Sequence, residues 1–272
     1  CGEIPFARTG WGHYGLSDPG TKAVFFRSTS TNQGEWVEIA DAMNYNDRTK
    51  GMSVTLLSKS DPNGRVMVIG GGSPNSSGSH TAEILNMSTA TPAWGNLTNI
   101  PAGNLSNKNR INVNAVLLPD STVFMCGGMP IKNSPTALYD PPKNKWFEMA
   151  KLNYARQYHS LALLLPSAKV MCTGGDSTDN TAQKTKIEIF SPPYLFRGDR
   201  PEISSFPDTV HHGHTFNVET PQASQIGKVV LVRPMAVTHQ TDTEQRVIQL
   251  TFTRSGTKTL MVTAPDGSHP HP

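Results

Sequence analysis

Asn114-Ala115-Val116-Leu117-Leu118, then Pro119-Asp120-Ser121, then Val123-Phe124-Met125-Cys126-Gly127-Gly128, is an apolar run, a tight turn and a second apolar run ending on paired glycines. Short apolar runs bounded by Pro, Asp and Ser read as strands, and so brief a turn makes them antiparallel. The glycine pair permits positive φ and close backbone approach where the strand leaves its sheet. The pattern occurs again on either side. Ser53-Val54-Thr55-Leu56-Leu57 is followed by Asp61-Pro62-Asn63-Gly64 and by Val66-Met67-Val68-Ile69-Gly70-Gly71. Ser160-Leu161-Ala162-Leu163-Leu164-Leu165 is followed by Pro166-Ser167-Ala168 and by Val170-Met171-Cys172-Thr173-Gly174-Gly175.

Each repeat continues through a polar loop into a third short strand, at Thr81–Leu85, Ala137–Tyr139 and Ile187–Phe190. Tryptophan strands follow the first two, at Trp94 and Trp146, and Lys22–Phe26 with Trp36 reads as the end of a preceding unit. Four strands per unit at a period of roughly fifty residues describe a β-propeller blade of Kelch type. Beyond Ser191-Pro192-Pro193-Tyr194-Leu195 the repeat stops. Alternating strands at Lys228–Val232, Val247–Phe252 and Leu260–Ala264 predict a small β-sandwich. The expectation is therefore an all-β chain: a partial Kelch propeller of about three and a half blades over residues 1–198, then an incomplete sandwich over 199–272. Closed propellers need about four to eight blades, so the missing ones are expected from the rest of a longer polypeptide or from another chain. Cys1 in place of Met reads as a processed or truncated start.

Composition narrows the function. Only 17% of residues are charged and 36% are hydrophobic, which excludes a coiled coil or long helical bundle. The net charge is +3 and no Lys/Arg run exceeds two, so no nucleic-acid groove or polybasic membrane patch is expected. No stretch approaches the ~20 apolar residues of a membrane span. Cys1, Cys126 and Cys172 are too few, and odd in number, for a disulfide scaffold. Cys126 and Cys172 sit at matching positions of neighbouring repeats and read as small buried side chains, with a bridge between them left open. Asn-x-Ser/Thr sequons at Asn75, Asn86, Asn96 and Asn104 lie in polar, surface-like sequence and point to a secreted, extracellular glycoprotein.

Two segments carry candidate chemistry. One is Ala155-Arg156-Gln157-Tyr158-His159-Ser160, just before the third repeat; the other runs from Val237-Thr238-His239-Gln240 to Glu244-Gln245-Arg246. The innermost strand of a blade lines the propeller channel, so Tyr158 and His159 can face the axis. A Tyr–His pair with a distant His suits a cupric ion held by N and O donors; on spacing alone such a pair is more often packing and surface than metal. His211-His212-Gly213-His214 reads as a loop, and His269-Pro270-His271 as a tail.

RQYHSLALLLP, IFSPPYLFRGDRP, KVVLVRP and AVTHQTDTEQR occur together and in this order. In that combination the chain, from about Gly51 onward, resembles the galactose oxidase and glyoxal oxidase family of copper radical oxidases, and the glyoxal oxidase branch in particular. The resemblance implies a Kelch propeller followed by an immunoglobulin-like domain whose loop delivers a histidine to one copper ion. It implies Tyr158 as axial ligand and general base, and His159 and His239 as equatorial ligands. It also implies oxidation of an aldehyde or primary alcohol by dioxygen, giving hydrogen peroxide through a tyrosyl radical. The family's radical tyrosine and its cross-linked cysteine have no match: Tyr14 and Cys1 are too close in sequence and lack the flanking pattern, and Tyr45 has no partner cysteine. The chain therefore reads as an incomplete copy, inactive in isolation. The other reading is a non-catalytic secreted propeller for adhesion, wall assembly or glycan binding.

Overall fold

The computed structural model describes residues 4–7, 23–28, 34–40, 48, 50–58, 61–72, 79–87, 89–102, 110–128, 133–175, 185–238, 241–242 and 244–266 of the 272. Among them helix is confined to two short 3-10 turns, Pro193–Phe196 and Ala223–Gln225. Strands β1 (Ile4–Ala7), β2 (Ala23–Ser28) and β3 (Gly34–Ala40) form an N-terminal sheet in sequential order, where the sequence predicts the end of a preceding unit.

The three repeats follow as antiparallel sheets. The first runs β4 (Met52–Ser58), β5 (Asp61–Ile69), β6 (Thr81–Asn86), β7 (Ala93–Trp94), with β8 (Thr98–Asn99) added to β6. The second holds β9 (Val113–Leu117), β10 (Val123–Gly127), β11 (Pro135–Asp140) and β12 (Lys145–Lys151); the third holds β13 (Ser160–Leu164), β14 (Val170–Gly174) and β15 (Glu188–Phe190). The leading strands β4, β9 and β13 lie side by side, as the inner strands of adjacent blades do. Four strands were expected in each repeat; the first has five and the third has three among the described residues. The first hairpin turn was expected at Asp61–Gly64. Instead Ser58 already pairs with Asp61, while Leu56 pairs with Arg65. Pro62 has no N–H for the ladder, and Gly64 takes φ 72°, so this stretch forms a bulge within β5.

Hydrophobic faces fill the space between successive sheets. Met52, Met67 and Ile69 of the first pack with Val113, Met125 and Tyr139 of the second. Phe124, Cys126 and Leu138 on the opposite face of the second pack with Ala162, Val170 and Cys172 of the third. Each large side chain so buried contributes about 1.5–3 kcal/mol. Cys126 and Cys172 are unbridged in this structure. They do not occupy matching positions: aligned on the glycine pairs, Cys126 corresponds to Thr173 and Cys172 to Met125.

A polar device repeats as well. Arg48, Arg110 and Arg156 are buried just ahead of the three leading strands. Their guanidinium groups donate to the carbonyl oxygens of Gly70 (3.0 Å), Gly127 (2.8 Å) and Gly174 (2.5 Å), the first glycine of each pair. Arg48 is completed by Glu83 at 2.7 Å and Arg110 by the carbonyls of Pro101 and Pro135. A buried cation is tolerable only with such a set of acceptors. Burial pulls Arg110 down to about 10, still charged at neutral pH. The next arginine's backbone closes the junction: the amide of Gly71 donates to Arg110 O and that of Gly128 to Arg156 O, both at 2.8 Å. Gly127 has φ +74°, and a Cβ there would stand 2.6 Å from Arg156 O, so only glycine fits.

Past the third sheet, the Tyr194 hydroxyl donates to Ala168 O at 2.5 Å and fixes the exit of the chain. The C-terminal unit is an immunoglobulin-like sheet of β16 (Thr215–Glu219), β17 (Val229–Arg233), β20 (Arg246–Ser255) and β21 (Thr259–Thr263), in the order β16-β21-β20-β17. Between β17 and β20 stands the small hairpin β18 (Val237–Thr238) and β19 (Thr241–Asp242).

Candidate functional site

A left-handed residue leads into each leading strand: Lys50 (φ 59°), Asn112 (φ 62°) and His159 (φ 59°). In the first two repeats it follows the buried arginine by two positions, and in the third by three. The third turn is thus one residue longer, and Tyr158 lies within it. Ser160 N donates to Gln157 O at 2.9 Å, closing a turn with His159 at its third position. Positive φ there is the signature of a type II turn, usually met by Gly or Asn. His is among the non-glycine residues enriched in this conformation. The His159 carbonyl accepts from Gly175 N at 3.2 Å. Gly174 lies so close over it that a Cβ would reach 2.7 Å.

This backbone presents two donors together. The rings of Tyr158 and His159 lie 3.9 Å apart between centroids, at 33°. Tyr158 is half-buried and His159 exposed. A phenolic oxygen and an imidazole nitrogen on one turn form a donor set that fits a first-row transition metal such as copper. Among the described residues, no group of three or more His, Cys, Asp or Glu converges on a metal position.

The predicted third donor, His239, lies outside the described residues; the hairpin that carries it does not. Val237 pairs with Asp242 and Thr238 with Thr241, so His239 falls in sequence between the two paired strands. β18 lies against β13, which starts directly after His159, and β19 lies against β4. The hairpin therefore stands between leading strands of the first and third repeats. Met235 packs against both inter-sheet clusters, and Val237 against the one between the first and second sheets.

Gln245 pins the same segment from its other end. Its side chain is buried, accepts from Leu117 N at 2.8 Å and donates to Ala115 O at 3.1 Å. It thus pairs with the backbone of β9 as a short strand would. Nothing in the sequence around Gln245 assigns it this role. The available signal was a polar residue directly before the apolar start of β20. Arg233 and Glu244 form an ion pair at the base of the hairpin.

The remaining candidates are dispersed. Asn96 is exposed between β7 and β8; Asn86 is the half-buried last residue of β6, paired with both β5 and β7. Asn75 and Asn104 lie outside the described residues, as do Cys1, Tyr14, Tyr45, His269 and His271. His211 and His214 are exposed, with ring centroids 5.8 Å apart.

Comparison with known proteins gives a consistent set of relatives. Residues 200–272 match the family described as Galactose oxidase-like, Early set domain. The chain is 31% identical over 169 residues to galactose oxidase of Gibberella zeae, an alignment covering 57% of this chain and 25% of that protein. It is 29% identical over 196 residues to aldehyde oxidase GLOX1 of Arabidopsis thaliana, covering 61% and 31%. The fold matches, with a TM-score of 0.72 and 26% identity, a solved structure described as a novel fungal alcohol oxidase with catalytic diversity among the AA5 family, in complex with copper. That match covers 92% of this chain and 54% of the other. The aligned segments span between about a quarter and about half of these relatives' own lengths.

Proposed function

The chain is homologous to galactose oxidase and the glyoxal oxidases, and from that premise we propose that it supplies the copper-holding turn and hairpin of a copper radical oxidase of glyoxal oxidase type. The observation that supports this reading is that β13, the strand following the Tyr158–His159 turn, lies against β18 of the hairpin. Tyr158, His159 and His239 would hold the ion. Bound there, copper would supply one-electron redox chemistry towards dioxygen. The substrate is a primary alcohol or a hydrated aldehyde. Tyr158 Oη accepts its hydroxyl proton as general base, and the fixed turn holds that oxygen in place. The tyrosyl radical that the reaction also needs belongs to residues not identified in this chain. The protein is secreted and glycosylated, with the exposed Asn96 as first acceptor, so glycosidase treatment of natural-source material lowers its intact mass.

Titration of the metal-free protein with Cu(II), followed by electron paramagnetic resonance, tests the reading. One tight site with nitrogen hyperfine structure is expected, lost in His159→Ala and in His239→Ala. A chain that takes up no copper, or takes it up unchanged in both variants, overturns the oxidase reading in favour of a binding propeller.

A further inference from the structure

Cys126 on β10 and Cys172 on β14 are buried, and their sulfurs lie 3.4 Å apart across the junction of the second and third sheets. The offset between them explains why they meet. Successive side chains of a strand point to opposite faces. Cysteines at matching positions of two sheets stacked in the same sense would both face one way around the stack. The slip of one residue turns Cys126 towards the third sheet and Cys172 back towards the second. At the junction of the first and second sheets the corresponding residues are Ile69 and Met125, both buried in one cluster. That junction is filled by a branched and a thioether side chain. The other is filled by two thiols in contact, a pair that oxidation can join.

We infer that Cys126 and Cys172 are the site of an inter-sheet disulfide, made while the chain folds. The oxidant is an external disulfide. One cysteine attacks it, forming a mixed disulfide and releasing one thiol. The second cysteine then attacks the protein-bound sulfur and releases the other, so the two protons lost by the cysteines end on the two released thiols. From 3.4 Å the sulfurs must close by about 1.4 Å to reach the bond length of a disulfide. Rotation of two short side chains covers that distance. The timing follows from burial. Both sulfurs are buried in the folded chain, out of reach of an external disulfide, and the hydrogen bond to Cys172 together with desolvation also holds the Cys126 thiol above its ordinary value. The bond must form before the sheets dock. It then ties residues 46 positions apart and restricts the unfolded chain.

The test is oxidative refolding of the full chain in a mixture of reduced and oxidised glutathione, then alkylation in denaturant and digestion without reductant. A peptide pair joined through Cys126 and Cys172, two hydrogens lighter than its separate parts, is expected. The same chain folded first under reductant and then given oxidised glutathione should keep both thiols open to alkylation once denatured. The bridged form should melt roughly 5–10 °C above the reduced form. Cys126→Ala and Cys172→Ala should each abolish that difference, and the double variant should do no more. Both thiols free after oxidative refolding, or either one joined to Cys1, overturns the site; rapid bridging of the chain already folded overturns the timing.

Discussion

At the scale of single residues, the site separates conformation from chemistry. His159 holds a left-handed backbone position that Asn112 holds in the second repeat. Replacing it with Asn keeps the turn and removes the imidazole. His159→Asn should therefore change stability by no more than about 0.5 kcal/mol, as expected of an exposed position, while abolishing the copper signal; thermal melts and metal titration of one preparation check both. Loss of the fold would mean that the imidazole is structural. Gln245 is the opposite case. Gln245→Leu leaves Leu117 N and Ala115 O of β9 without their partner, at about 1–3 kcal/mol for each group stranded. Urea unfolding should show a loss of about 2–5 kcal/mol. Copper affinity should also fall about tenfold or more, the effect typical of groups that orient metal ligands. Gln245→Glu keeps the acceptor for Leu117 N and should recover part of both losses.

Among the elements, the glycine pairs show how much could be read without coordinates. The apolar runs placed β9, β10, β13 and β14 correctly because each is bounded by turn residues that act locally. What escaped was contact at long range. Nothing within Ala155-Arg156-Gln157 shows that Arg156 reaches Gly174 O, since that bond forms only once two strands have paired. Nothing around Gln245 shows that it lies on β9, some 130 positions away. The first turn was misplaced because Asp61-Pro62-Asn63-Gly64 serves a bulge as well as a turn. A Tyr–His pair before an apolar strand marks Tyr158 and His159 only as candidates, and their proposed roles come from the resemblance of the surrounding sequence to a known family. The extra residue in their turn appears only when the three buried arginines are superimposed. These junctions carry a prediction. Gly127→Ala forces a Cβ to 2.6 Å from Arg156 O at a positive φ, and should cost at least about 2 kcal/mol in chemical denaturation. Gly198, which also has positive φ but nothing within 4 Å, should cost less on the same change.

For the molecule as a whole, the C-terminal unit is built into the propeller rather than appended to it. Val247, Val230 and Val232 join the cluster between the first two sheets, and Lys228 donates to Asp120 O and to Ser121 Oγ. Heating should give one calorimetric transition, with calorimetric and van't Hoff enthalpies equal; two separate endotherms would show that the contacts do not couple the units. The same intimacy is what carries the β18–β19 hairpin to the leading strands. If this hairpin and the Tyr158–His159 turn hold one copper ion, as proposed, anomalous diffraction at the copper edge from copper-soaked crystals will locate it. A single strong peak is expected, with a nitrogen of His159, a nitrogen of His239 and the Tyr158 oxygen all within about 2.5 Å, close to the usual metal–imidazole distance. A peak at His211 and His214 instead, or His239 more than about 10 Å from His159, would contradict it.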